Sequence, residues 1–379
     1  MTSAGAPRIA FVAGTLGQGG AEKQLVYMAR ALRSAGVDVC VYCLTRGEYY
    51  EEALADAGIM PVWIGRSAAP PLRVLALRRE LKQFRPHIVQ SAHFYTNLYV
   101  RLAAPAAGAI DIGAARNDVI HEVLYNGRWG QWLVRAPSAL IVNSYAAQRN
   151  TSAYGARAGS VHVLPNVIDL AAFDAAAAAA APRRSGEDVI VAGVGTFIRP
   201  KRFDRFLHVL ARARERGALV RGLLVGDGRD RAALEAQARE LGLTPDGVEF
   251  AGRRNDIPAV LRGADLLMLT SEHEGFPNVI LEAMAASRAV ISTAAGDADA
   301  IIAEGVTGFV VPLDAEDALV DHLCALAASR DVRESMGRAG RARVEAQYSV
   351  DGLASRLLSL HRTIAAHARH AAAIAALGN

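Results

Sequence analysis

Twice in this chain a short apolar strand runs into glycine and then into a helix, and that repeated pattern limits the fold more than any other feature. The first copy is Arg8–Ala13, followed by Gly14, Gly17, Gly19 and Gly20 and an amphipathic stretch that begins at Ala21. The second opens at Val189 and reaches Gly195. Each copy starts an alternating series. In the first half, apolar runs at 60–64, 86–91, 110–115 and 139–142 are separated by helical patterns such as 72–84. In the second half the runs lie near 223, 248, 264 and 289. Strands that alternate with helices build parallel sheets covered on both faces. At 379 residues there is room for two such domains, each with its own core. The expected class is therefore α/β, with two Rossmann-like parallel-sheet domains facing an interdomain cleft.

Composition narrows the function. No run of eighteen apolar residues appears, so no membrane-spanning helix is expected. The first residues carry no basic-then-apolar leader, which points to a cytoplasmic protein, at the inner face of the membrane if at any surface. Net charge is only +4 and no block of five or six Lys/Arg occurs, which argues against nucleic acid and suits an anionic small ligand or an anionic membrane surface. The arginines of 66–85 and 128–135 fit peripheral membrane association and a solvated helix face equally well. Cys40 and Cys43 lie three apart in a strand-like run and so point to opposite faces, which argues against a zinc or redox pair. A dinucleotide-binding turn is the rival reading of the first glycine cluster. Its spacing, G-x-x-G-x-G-G, is wrong for that, and the second strand ends at Leu44-Thr45-Arg46 without the acidic residue that would hold a ribose, although Arg46 suits a phosphorylated one.

The richest stretch runs from Ala264 to Ala285. An apolar strand leads into Thr270-Ser-Glu-His-Glu274-Gly-Phe-Pro-Asn-Val-Ile-Leu-Glu282, with Pro277 suited to the first helical position. Glu274 then lies at the carboxyl end of a strand and Glu282 on the following helix, at the edge where open α/β sheets bind ligands. Two carboxylates eight positions apart can grip an elongated polar ligand at two points. Glu274–Glu282 with its internal Gly-Phe-Pro and trailing Ala283-Met284-Ala285 resembles the E-x7-E signature of the retaining glycosyltransferases of family GT4, which have the GT-B fold. The resemblance is ordered along nearly the whole chain, densest from Val189 to Leu313.

Carried over, the resemblance gives Glu274 the donor sugar and Glu282 the ribose hydroxyls, with Gly275, Phe276, Pro277 and Asn278 around them. The family's phosphate-holding arginine falls on Thr196, a departure, while its lysine matches Lys201. Arg202 stands where the family has glycine, and Arg199 or Arg202 is left to supply the missing charge. Arg253 ends a strand that packs near the base. Gly19-Gly20-Ala21-Glu22 resembles the family loop that meets the donor diphosphate, through backbone amides, when the domains close. Family histidines after two N-terminal strands correspond to His93 and, less directly, to Arg116 and Asn117, with His121 four residues beyond. Asn143-Ser144 and Pro165-Asn166-Val167 match family segments, and Ser144 and Asn166 also have simple structural readings, as a helix cap and a turn residue. Asp297-x-Asp299 is read as a loop rather than a metal site.

The domain expectation is 1–168 for acceptor binding, 169–188 as linker, 189–352 for the nucleotide-sugar, and 353–379 as a helix returning to the first domain. The alanine-rich linker is expected to lack an amphipathic face. The expected function is transfer of a hexosyl or N-acetylhexosaminyl unit, from a UDP-sugar in the favoured case, to a glycan or lipid-linked acceptor in polysaccharide or glycoconjugate biosynthesis. Catalysis would rest on Glu274, Lys201 and His93, with Arg116, Asn117 and His121 on the acceptor side and neither metal nor cofactor. Two alternatives are a UDP-sugar 2-epimerase-like isomerase of the same fold and a non-catalytic nucleotide-sugar-binding module.

Overall fold

A computed structural model describes residues 6–116, 119–178 and 188–377, with side chains as far as residue 368. The chain divides into two compact units, residues 1–167 with 350–379, and residues 168–349.

The first unit holds seven strands: β1 Arg8–Ala13, β2 Asp38–Cys43, β3 Val62–Trp63, β4 Ile88–Ser91, β5 Ile110–Ala115, β6 Ala139–Val142 and β7 Val161–Val163. They pair in parallel in the order β3-β2-β1-β4-β5-β6-β7. The second holds β8 Val189–Val194, β9 Val220–Val225, β10 Val248–Gly252, β11 Leu266–Leu269, β12 Ala289–Thr293 and β13 Gly308–Val311, in parallel order β10-β9-β8-β11-β12-β13. Both sheets reverse order beside their first strand, the place where crossovers leave loops free to meet a ligand. Central strands such as β8 and β11 are apolar because helices cover both faces. All four residues of β11 are buried, for example. Cys43 packs in the core on one side of the first sheet while Cys40 packs against the other.

Several expectations change at element edges. The strand expected at 60–64 shortens to Val62–Trp63, and the helix expected from Leu72 begins at Pro70. Pro277 is the residue before the Asn278–Ala285 helix rather than its first residue. The largest correction concerns the linker. Residues Leu170–Ala178 form a helix of the second unit, with Leu170, Phe173 and Ala177 buried in its core. Those three lie on one helical face, so the alanine-rich segment does have an apolar stripe, and its small side chains let it pack against the Ile257–Gly263 helix. Asp174 fixes it to the Arg330–Gln347 helix through two hydrogen bonds from Arg341, at 2.7 and 2.8 Å. The rest of the proposed linker, 179–187, lies outside the described residues.

The Leu353–Leu377 helix belongs to the first unit. Leu353, Leu357 and Ile364 enter its core, and buried His361 lies 2.7 Å from Gln90 Oε1, on β4.

Candidate functional site

The predicted residues gather at the carboxyl ends of the strands, in two separate groups. In the second unit, the loop after β8 and the loop after β11 meet. Lys201 closes a short 3-10 turn, Arg199–Lys201, and its Nζ donates to Glu274 Oε1 at 2.6 Å. Ser271 Oγ donates to the same oxygen at 2.8 Å. The two charged residues are 73 positions apart in sequence, and β8–β11 pairing is what brings them together. Glu274 is held from behind as well. At Gly296 (φ +61°) a Cβ would come within 2.8 Å of the Glu274 and Gly275 carbonyl oxygens. That contact makes Gly296 a site residue that the sequence, read around Asp297, does not reveal.

Arg202 has left-handed backbone, φ 50° and ψ 47°. That conformation costs a residue with a Cβ about 1–2 kcal/mol and glycine little, which gives the family's glycine at this position a physical reason. The guanidinium is tied down: Nε donates to both carboxylate oxygens of Asp204, Nη2 to Asp204 Oδ2 at 2.9 Å, and Nη1 to Glu272. Hydrogen bonding to Asp204 raises its pKa further above the usual arginine value. Arg199, by contrast, is exposed and makes no ion pair among the described residues. Of the two candidates, Arg199 is therefore the free cation. Thr196 and Arg253 are both exposed, Thr196 after β8 and Arg253 directly after β10. Phe276 is buried in the core beside Tyr348, so only its backbone is available to a ligand. Pro277 is buried, while Gly275 in the preceding loop, Asn278 at the start of the helix and Glu282 in its second turn are half-buried. Asp297 is buried and Asp299 exposed, and no cluster of three metal-ligating side chains occurs among the described residues.

The first unit holds the other group. Gly19 precedes the Gly20–Ser34 helix, whose first amides face the strand edge where an anion is favoured. A Cβ on Gly19 would fall 2.2 Å from Glu22 Oε2, so the loop and Glu22 are fitted to each other. His93 receives a hydrogen bond from the Gly14 amide at Nδ1, 3.1 Å, so its proton is on Nε2, which faces Glu22 Oε1 at 3.0 Å. Both nitrogens are engaged, which is the geometry of a residue that positions the glycine loop. Glu48, which the sequence did not single out, clamps that loop. It accepts from the Leu16 amide and from the hydroxyls of Thr15 (2.8 Å) and Thr45 (2.6 Å). Burial pushes its pKa up, but the hydrogen bonds outweigh burial and hold it below the usual carboxylate range. Arg46, the residue kept open for a phosphorylated ribose, lies over the Trp63 ring at 4.2 Å.

Arg116 is 7% exposed, and among the described residues its guanidinium meets Asn166 Oδ1 (3.4 Å) and Met28 Sδ (3.3 Å). Burial lowers its pKa to about 10. An acceptor contact through its side chain is not accessible in this form. Asn117 lies outside the described residues, and His121 is exposed and stacked on Tyr125. Ser144 caps the Tyr145–Ala153 helix, its Oγ accepting from the Ala147 amide at 2.9 Å, and Asn143 Nδ2 donates to the Arg116 carbonyl. Gln24 holds Val167 by a reciprocal pair of 2.7 and 2.9 Å bonds, another tie invisible in the local sequence.

Two parallel α/β sheets of seven and six strands define the GT-B class of folds, and the structure has it. Residues 18–172 match the family model described as Glycosyltransferase Family 4, and residues 188–329 match the one described as Glycosyl transferases group 1. The chain belongs to the family 4 glycosyltransferases. Among curated relatives, a D-inositol 3-phosphate glycosyltransferase of Kribbella flavida is 32% identical over 55% of this chain and 52% of its own length. A GDP-mannose-dependent alpha-(1-6)-phosphatidylinositol monomannoside mannosyltransferase of Mycobacterium tuberculosis is 29% identical over 82% of this chain and 77% of its own. The Vi polysaccharide biosynthesis protein VipC/TviE of Salmonella typhi is 34% identical over 36% of this chain. The chain thus spans about half of the first relative's length, and 23% of the last. Among solved structures, HepE of Anabaena in complex with UDP and glucose superposes with a TM-score of 0.77 at 20% identity, covering 94% of this chain and 100% of that one.

Proposed function

We propose that this chain transfers a glycosyl unit from a nucleotide-sugar, a UDP-sugar in the favoured case, to a glycan or lipid-linked acceptor in polysaccharide or glycoconjugate biosynthesis. The carrying observation is the Lys201–Glu274–Ser271 cluster at the carboxyl edge of the second sheet, with Arg199 exposed on the same short turn as Lys201 and without an ion pair among the described residues. Without donor, the lysine and the carboxylate neutralise each other. A nucleoside diphosphate draws Lys201 and Arg199 to its phosphates and leaves Glu274 to accept from sugar hydroxyls, while Glu282 on the next helix takes the ribose. As the bond from the anomeric carbon to the phosphate oxygen breaks, its electron pair goes to the diphosphate. Two cations, Lys201 and Arg199, stabilise that charge, so the reading asks for no metal. The acceptor oxygen bonds to the anomeric carbon on the same face and passes its proton to the departing phosphate, which retains the configuration. Family membership and the fold shared with HepE, a protein solved with UDP and glucose, support the donor class.

Thermal stabilisation by UDP, GDP and ADP and their sugar conjugates tests this, with Glu282→Ala alongside. A donor at a hundredfold excess over its dissociation constant contributes about 2.7 kcal/mol. The expected result is a shift with one nucleotide that the variant loses. A shift with NAD(P) and none with any of the three nucleotides would overturn the reading. Nucleotide release measured with and without acceptor then separates transfer from isomerisation and from binding alone.

A further inference from the structure

Outside the site, one feature of the first unit is at odds with a surface facing only water. Residues Val119–Tyr125 and Arg128–Arg135 form two short helices joined through Asn126 and Gly127. Their inner side is an ordinary core contact: Val119, Val123, Leu133 and Val134 are buried. Gly130 presses so close that a Cβ there would meet the Val123 carbonyl at 2.2 Å. The outer side has the opposite character. Ile120 is 40% exposed, Leu124 71%, Tyr125 83% and Trp129 67%. Single exposed apolar residues are common, but four within ten positions on one hairpin make a patch. Trp129 is braced edge-to-face against Trp132 at 6.3 Å, and Tyr125 is stacked with His121, so the aromatic rings are already ordered.

The charge around the patch is one-sided. Between 119 and 135 the only acidic residue is Glu122, which is half-buried, while Arg128 is exposed with no ion pair among the described residues. Arg149, on the helix packed against Val119–Tyr125, is also exposed. Tryptophan and tyrosine favour the headgroup level of a bilayer, where a ring can bury its apolar body and keep its polar edge wet, and exposed arginine favours anionic headgroups. The helices have seven and eight residues, and no helix among the described residues is long and apolar enough to cross a membrane. Such a surface can lie on a bilayer but cannot span it. The other basic stretch, 66–85, differs in having exposed Leu72 and Leu75 but no exposed aromatic ring, while Arg73 and Arg78 there, like Arg135 here, donate to backbone carbonyls.

We propose that the outer face of this hairpin, centred on Leu124, Tyr125 and Trp129, docks the chain on an anionic lipid–water interface. The inference is independent of the donor chemistry, and its test contains no nucleotide. The full chain is sedimented with vesicles of phosphatidylcholine, with or without phosphatidylglycerol. The expected result is binding to the anionic vesicles only, weakened about tenfold or more in Leu124→Ser/Tyr125→Ser/Trp129→Ser and to a smaller extent in Arg128→Ala. The three side chains are exposed, so an unchanged melting temperature serves as the fold check. Should the triple variant not fold, Trp129→Phe replaces it: brominated lipids quench the wild-type fluorescence, and the variant loses most of that quenching. Equal binding by wild type and variant, no binding to anionic vesicles, or a wild-type dimer that the triple variant abolishes would each overturn the proposal, the last by assigning the patch to a second copy of the chain.

Discussion

Lys201 and Arg202 are neighbours in sequence with different fates, and the difference is set by what each guanidinium or ammonium meets. Lys201 pairs with one carboxylate, Glu274, whereas Arg202 is held by two, Asp204 and Glu272. Removing a fixed cation that stabilises a leaving diphosphate costs about 10²–10³ in kcat. Lys201→Ala is therefore expected to lose turnover on that scale, and Glu274→Gln to lose turnover while still binding free nucleotide diphosphate. Steady-state kinetics with a nucleotide-binding titration checks both, and a Lys201→Ala enzyme with normal kcat removes Lys201 from the mechanism. At position 202 two terms oppose each other. Arg202→Ala loses the clamp and keeps the left-handed strain, while Arg202→Gly loses the clamp and relieves the strain. The glycine variant should unfold at the higher denaturant concentration, by about 1 kcal/mol in stability. The reverse order would show that the backbone relaxes once the clamp is gone.

The loops after β8 and β11 act as one element, because Thr270, Glu272 and Glu274 all bond back to the Lys201–Arg202 segment or to its neighbour Pro200. Thr270 Oγ1 donates to the Arg202 carbonyl at 2.8 Å, and the Glu272 amide donates to the Pro200 carbonyl at 2.8 Å. Gly296 supports this element from the loop after β12. An alanine there must take a positive φ and displace the Glu274 carbonyl, at a cost of about 1–3 kcal/mol. Gly296→Ala is expected to lower kcat beyond what its loss of stability explains, since the pair at 2.6 Å is moved. An enzyme that is destabilised but catalytically normal at low temperature would show that Glu274 tolerates the displacement. The strand–loop–helix order of this region was legible from Ala264 to Ala285. The support from Gly296 was not, because a steric contact between segments more than twenty residues apart leaves no periodic trace.

At the scale of the whole molecule, the Leu353–Leu377 helix is coupled to pH through His361. The ring is 3% exposed, and burial lowers its pKa to about 4 from an ordinary value near 6.5. Between those values the unfolded chain takes up a proton that the folded chain refuses. Stability is therefore complete above about pH 6.5 and falls as the pH drops toward 4, by up to about 3 kcal/mol. His361→Gln removes the titration. Its denaturation midpoint should change less than that of wild type between pH 7 and pH 5, and an identical acid loss in both would assign the effect to other groups.

The sequence by itself determined the α/β class, the alternating elements of both units and the loops on which Glu274, Lys201, Gly19 and His93 lie, because apolar periodicity and glycine placement act over a few neighbouring residues. Only the tertiary structure decided what each charged group meets. Sheet order brings Lys201 to Glu274 across 73 positions, sends Arg202 to Asp204 and Glu272 while Arg199 is left exposed, and buries Arg116 away from solvent. It also turned half of an apparent linker into a packed helix and left Leu124, Tyr125 and Trp129 facing outward. Burial and pairing are set by segments distant in the chain, and a local pattern of residues does not carry that information.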